Sequence, residues 1–133
     1  MSHRFPVRVF YEDTDMAGVV YYANYLKFIE RGRSEMVREQ GLDQGKLGAE
    51  QGVYYAVRRV EADYLRPARY DDQLEVETIV TEITGARVYM DQNLWRGEEL
   101  IFKATVMIVC VDKTGMPMAL PAENRQQFAR GLA

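Results

Sequence analysis

One histidine and one cysteine are all that the 133 residues offer of the side chains that dominate nucleophilic and metal chemistry. Cys110 has no second cysteine for an intramolecular disulfide, and no Cys/His cluster exists for a structural zinc site. His3 stands at the extreme N-terminus, where chains are often poorly ordered. An imidazole inside a pocket is therefore not expected, which sets aside Ser-His-Asp and Cys-His mechanisms. A positive surplus is missing as well. The net charge of −3 and a pI near 5.2 argue against a generic nucleic-acid binder. No run approaches 18 apolar residues, and "MSHRFPVRVFYEDTD" lacks the apolar segment of a secretory signal. The expected compartment is the cytoplasm. Whatever chemistry the chain performs falls to carboxylates, tyrosines, arginines and the backbone, with no metal and no cofactor expected.

What is present is an ordinary globular composition, 47% hydrophobic and 28% charged, at a length that suits a single domain over residues 1–133. Arg4 to Tyr11 alternates and is rich in β-formers, so it reads as a first strand. From about Tyr22 to Gln40, residues Tyr22, Tyr25, Ile29, Gly32 and Met36 recur at helical spacing on one face. Gly41 suits the C-cap, and Gly32 within the stripe suggests close approach to a sheet. After a glycine-rich connection, strands are expected over Val53 to Leu65, Gln73 to Thr84, Arg87 to Arg96 and Leu100 to Asp112. Thr84-Gly85 and Gly97-Glu98 form the hairpin turns. The tail from Gly115 suggests a last helical turn or two. The expected fold class is α+β, a five-stranded antiparallel sheet wrapped around one long central helix. Such a sheet leaves an edge to protect, so a homodimer at least is expected.

Two stretches carry a resemblance: "YEDTDMAGVVYYANYLKFIERGRSEM" and, later, "YLRPARYDD". Together they resemble the hotdog-fold acyl-CoA thioesterases, most closely the YbgC-like, Tol–Pal-associated branch of the 4-hydroxybenzoyl-CoA thioesterase family. The similarity runs from about Pro6 to Leu120 and implies hydrolysis of acyl-CoA to a free acid and coenzyme A. It also implies a dimer of hotdogs, commonly paired into a tetramer, with sites at the subunit interface. Carried over by position, the resemblance makes Asp15 the catalytic carboxylate and Tyr22 its partner, acting through the backbone N–H. Many members of the Tol–Pal branch have histidine where this chain has Tyr22, whereas the hydroxybenzoyl branch has tyrosine. Gly18, Val19 and Asn24 then border the substrate, and the start of the Val53 to Leu65 strand, around Tyr54 and Tyr55, borders the site of the neighbouring subunit, where Arg58 is a further substrate-binding candidate. Two rival readings are a thioesterase acting on acyl carrier protein and a non-catalytic acyl-binding or scaffold protein tied to the Tol–Pal envelope system.

The chemistry fits the residues. Thioester hydrolysis builds negative charge on the carbonyl oxygen, and a helix N-terminus offers unpaired N–H groups and partial positive charge. Asp15 either attacks the carbonyl or activates a water, with the general base slightly favoured. Thiolate leaves readily, so no histidine acid is needed. Each residue also has a plainer role. Asp13 and Thr14 suit turn formation, and Gly18 a backbone requirement. Asn24 suits a cap, and Cys110 a buried small hydrophobe. Arg58 shares strand parity with Tyr54, Ala56 and Val60, which implies a salt bridge to Glu30 or Glu35, or else contact with substrate across the dimer. Arg59, Arg66, Arg69 and Arg87 are candidates for coenzyme A phosphate by composition alone.

Overall fold

The computed structural model describes residues 2–132. Its strands are β1 (His3–Arg8), β2 (Tyr54–Tyr64), β3 (Gln73–Ile83), β4 (Arg87–Arg96) and β5 (Glu99–Val111). All pair antiparallel in the order β1-β3-β4-β5-β2, so β1 and β2 are the two edges. Alternation is clearest on β3 and β4. Leu74, Val76, Thr78 and Val80 on one, and Val88, Met90, Gln92 and Leu94 on the other, turn inward and are buried.

The main helix, α1, spans Asn24–Glu39 and buries Tyr25, Phe28, Ile29, Gly32, Met36 and Val37 against β1, β3 and β4. Four of the five expected stripe residues belong to that face. Tyr22 does not: it precedes the helix and is 64% exposed. A Cβ on Gly32 would stand 2.3 Å from Val76 Cγ1, so only glycine lets helix and sheet approach this closely. Beneath the same helix, Gln92 Nε2 donates to Ile29 O at 2.8 Å and to Thr78 Oγ1 at 2.9 Å, while Arg33 donates to Gln92 Oε1 at 2.8 Å. Burial lowers the pKa of Arg33, with Glu30 acting against that shift. The helix ends in a Schellman motif: Gly41 N–H bonds Arg38 O, and Leu42 N–H bonds Val37 O.

Helical structure is not confined to α1. The glycine-rich connection holds a single turn, α2 (Gln44–Lys46), continuing into a π-helical turn over Leu47–Gln51, and α3 (Ala122–Ala129) packs Phe128 into the core. No described helix is long and apolar enough to cross a membrane.

Two expectations need correction. His3 is an ordered strand residue opposite Thr78, and its Nε2 lies 2.7 Å from Glu39 at the far end of α1. A 16-residue helix is about 24 Å long, so the only imidazole stays remote from the helix start. Arg58 is the extra residue of a β-bulge: Val57 faces Ile108 and Arg59 faces Met107, leaving Arg58 no partner on β5. The inward parity therefore changes along β2. Tyr55 contacts Phe128 and Val57 faces α1 before the bulge, whereas Val60, Ala62 and Tyr64 face inward after it. Arg58 is exposed and makes no salt bridge to Glu30 or Glu35; Glu30 accepts from Ser34, and Glu35 pairs with Arg38.

Candidate active site

Asp13, not Asp15, builds the turn that precedes the helix. Its buried carboxylate accepts the Phe10 N–H at 2.7 Å, and its carbonyl accepts Tyr21 N–H and Asn24 Nδ2, each at 3.0 Å. Thr14 Oγ1 donates to Tyr11 O at 2.8 Å, closing the same turn. Asn24 thus ties the first turn of α1 to the loop instead of capping the helix. The N-cap is Ala23, and no side chain caps it.

Asp15 sits one step further on, exposed to solvent. A tight loop returns the chain on itself: Asp15 N–H bonds Val19 O, and Gly18 N–H bonds Asp15 O. Asp15 Oδ1 accepts Ala17 N–H at 2.9 Å, which leaves Oδ2 without a partner among the described residues. Gly18 takes φ +78°, and a Cβ added there would meet nothing within 4 Å, so its role is conformational and the space beside it is open. Val19 is half-buried and forms an antiparallel bridge with Arg69.

The uncapped end of α1 faces this loop. Tyr22 N–H donates to no acceptor among the described residues, and the Tyr22 carbonyl accepts the Tyr64 hydroxyl at 3.0 Å. Tyr64 also meets the ring of Tyr22 edge-on at 6.4 Å and packs against Tyr25 and Phe102. Burial, then the neighbouring Tyr22 and Tyr25, push the Tyr64 hydroxyl upward in pKa, so it stays a donor at neutral pH. Tyr25 reaches past it to accept the Ala68 N–H at 3.0 Å. The segment after β2 is pinned in turn by Arg96, which donates to Pro67 O at 3.0 Å and to Asp72 Oδ2 at 2.8 Å.

Asp15, Gly18, Val19, Tyr22 and Asn24 are therefore brought together in one loop and helix start. Tyr54, Tyr55 and Arg58 are not. At about 3.3 Å per residue, the first two lie roughly 30 Å along β2 from Tyr64. Tyr54 donates its hydroxyl to Gly48 O, and Tyr55 to Asn124 Oδ1 at 2.7 Å. Burial, with Cys110 beside it, pushes the Tyr55 hydroxyl far above the ordinary phenol range. Tyr64 and Arg96 are neighbours of the site that sequence reading did not assign to it, and Arg69, a candidate there by composition alone, lies beside its loop. A cavity of about 520 Å³ begins one helical turn beyond Tyr22, lined by Leu26, Ile29, Glu30, Arg33, Val57 and Val60. It does not include Asp15, and it lies between α1, which packs mainly over β1, β3 and β4, and the middle of β2.

A five-stranded antiparallel sheet against a helix whose open N-terminus meets an aspartate loop is the hotdog arrangement, an α+β domain. The chain belongs to the thioesterase-like superfamily, whose model matches residues 9–128. It is 46% identical over 125 residues to the acyl-CoA thioesterase YbgC of Haemophilus influenzae, covering 93% of this chain and 92% of that one. It is also 46% identical over 127 residues to the acyl-CoA thioester hydrolase YbgC of Escherichia coli O6:H1, covering 94% of each. Among solved structures, a probable thioesterase from Bartonella henselae superposes with a TM-score of 0.86 at 38% identity, covering 91% of this chain and all of that one. A 4-hydroxybenzoyl CoA thioesterase mutant complexed with 4-hydroxybenzoyl CoA shares the fold, with a TM-score of 0.89 at 21% identity over 95% of this chain and 97% of that one.

Proposed function

We propose that this chain hydrolyses acyl-CoA thioesters to a free carboxylic acid and coenzyme A, acting in the cytoplasm as a homo-oligomer. The observation that carries the reading is the pairing of an uncapped helix N-terminus with a loop aspartate that keeps one oxygen uncommitted. The thioester carbonyl oxygen lies against the Tyr22 N–H, where the α1 dipole and the open donor stabilise developing negative charge. Asp15 takes a proton from water as its oxygen attacks the carbonyl carbon. The C–S bond then breaks, thiolate departs, and the proton held by Asp15 passes to solvent or to the thiolate. The acyl group extends along the apolar groove between Leu26, Ile29, Val57 and Val60.

Assembly completes the site. An exposed eleven-residue edge strand invites pairing with a second copy. Antiparallel pairing of β2 with its twofold mate brings the Tyr54 end of one strand toward the Tyr64 end of the other. That places Tyr54, Tyr55 and Arg58 of one subunit beside the helix start of its partner, and two such dimers make a tetramer.

The test is thiol release from short, medium, long-chain and aromatic acyl-CoAs by wild type and Asp15→Asn. A fall in kcat of roughly 10²-fold or more with little change in KM supports a transition-state role. Equal activity removes Asp15 from the mechanism. Turnover confined to carrier-bound acyl groups replaces coenzyme A with acyl carrier protein. Binding of acyl-CoA without turnover replaces catalysis with an acyl-binding role. Single turnover in heavy-oxygen water separates the two chemistries, since label entering Asp15 first makes it the nucleophile.

A further inference from the structure

The thiol half of such a substrate carries a charge that the acyl half lacks: the pantetheine arm ends in a phosphate, whether on coenzyme A or on a carrier protein. A site built around Asp15 needs a cation to receive it, in a chain whose net charge is −3. The four arginines suggested by composition have different surroundings. Arg59 is paired with Glu61, and Arg66 with Glu99. Arg87 opens β4 opposite Val109, next along β5 to the Cys110 that faces Tyr55, at the end of the sheet away from Tyr64.

Arg69 differs from all three. Its backbone bridges Val19 in the catalytic loop, and the preceding Ala68 carbonyl accepts Val20 N–H at 2.8 Å. Its own N–H donates to Asp72 Oδ2 at 2.9 Å, so the segment that carries it is fixed. The carboxylates next to it are already engaged, Asp71 with Arg8 and Asp72 with Arg96. Asp71 holds φ +69°, a left-handed conformation uncommon outside glycine, which turns the chain immediately after Arg69 and Tyr70. The Arg69 guanidinium is exposed and has neither an ion pair nor a hydrogen bond among the described residues. The backbone that carries this unpaired cation is thus clamped against the loop that holds Asp15.

We propose that the Arg69 guanidinium binds the phosphate that ends the pantetheine arm, anchoring the thiol half of the substrate while Asp15 and Tyr22 act on the acyl half. This rests on the hydrolase reading above. Guanidinium suits the role because its planar fork matches phosphate oxygens, and because it remains charged at any working pH.

The experiment compares wild type, Arg69→Gln and Arg69→Lys on one acyl group carried by coenzyme A, 4′-phosphopantetheine, acyl carrier protein or phosphate-free N-acetylcysteamine. For an exposed charge contact, KM in Arg69→Gln rises about two- to fivefold on the coenzyme A and 4′-phosphopantetheine thioesters with kcat held. The N-acetylcysteamine thioester is unaffected, Arg69→Lys recovers part of the loss, and the difference shrinks at high salt. A rise on the carrier-protein substrate as well assigns the contact to both phosphate sources; its absence there leaves coenzyme A as the source. An equal rise on the phosphate-free thioester overturns the proposal, because the substitution has then damaged the loop. No rise on the 4′-phosphopantetheine thioester overturns it as well. Binding of free coenzyme A and of pantetheine, measured by calorimetry, reads the same contact without turnover. A preference for coenzyme A that disappears in Arg69→Gln keeps Arg69 even if no thioester is hydrolysed and the hydrolase reading falls. No such preference in wild type overturns Arg69 alone.

Discussion

Two aspartates separated by one threonine do different work because their oxygens face different donors. Asp13 is buried and spends its carboxylate on the Phe10 N–H, whereas Asp15 is exposed and keeps Oδ2 uncommitted. A donor without an acceptor, the Tyr22 N–H, is held beside this loop by groups on both sides: Tyr21 N–H bonds Asp13 O, and the Tyr64 hydroxyl bonds Tyr22 O. Tyr64 therefore touches the peptide group that precedes the helix, and in the proposed mechanism it is a positioning residue for the Tyr22 N–H. Tyr64→Phe removes one neutral hydrogen bond, worth about 0.5–1.5 kcal/mol, while keeping the ring contacts. We expect kcat on acyl-CoA to fall about three- to tenfold with KM nearly unchanged, beside a loss of folding stability no larger than that one bond. An undiminished kcat would remove Tyr64 from the site.

At the scale of elements, α1 and β3 meet so closely at Gly32 that the Val76 side chain already fills the space between them. Gly32→Ala gains about 1 kcal/mol of helix propensity but drives a methyl group into Val76, where overpacking costs about 1–3 kcal/mol. Net destabilisation is expected in urea unfolding, and adding Val76→Ala should recover part of it through direct coupling of the two positions. That approach is legible in the sequence, because a glycine inside a helical stripe weakens the helix and is tolerated where a neighbour leaves no room for a side chain. The strands β3 and β4 are legible for a similar reason, since one strand surface is apolar almost throughout. The central features of β2 are not. A bulge leaves no local mark in "YYAVRRVEADY", and perfect alternation wrongly places Arg58 with the inward residues. The contact between Tyr64 and Tyr22 is hidden as well, because it joins residues 42 apart in the chain. Periodicity alone also misjudges the helix start, counting Tyr22 into a helix that begins at Asn24.

For the whole molecule, the uncovered β2 edge and the groove beside it form one continuous exposed surface, with Val57 48% and Val60 37% accessible. Exposed apolar edge strands are liabilities unless a partner covers them. Val57→Lys places a charge in the middle of that surface, away from the Asp15 loop but inside the apolar groove beside α1. Analytical ultracentrifugation should show the variant dissociating to monomers whose circular dichroism matches wild type. Activity should fall, both because in the proposed assembly each site draws on the partner's β2 and because the new charge lies in the acyl groove. A monomeric variant with full activity would show that one chain suffices. Wild-type sedimentation at the same concentrations distinguishes the dimer from the tetramer.

The bulge at Arg58 behaves as a phase shift in a two-state code. Residues on its N-terminal side point inward at odd positions, and those beyond it at even ones. Two stretches of opposite phase are thereby spliced into one strand, and the splice depends on the presence of a residue rather than on its identity. Trimming the side chain leaves the phase intact, whereas excising the residue turns Tyr55 and Val57 outward, or else drags Val60, Ala62 and Tyr64 with the other half. The fold thus constrains position 58 in number rather than in chemistry, and any demand on its charge comes from the neighbouring subunit's site and not from the strand.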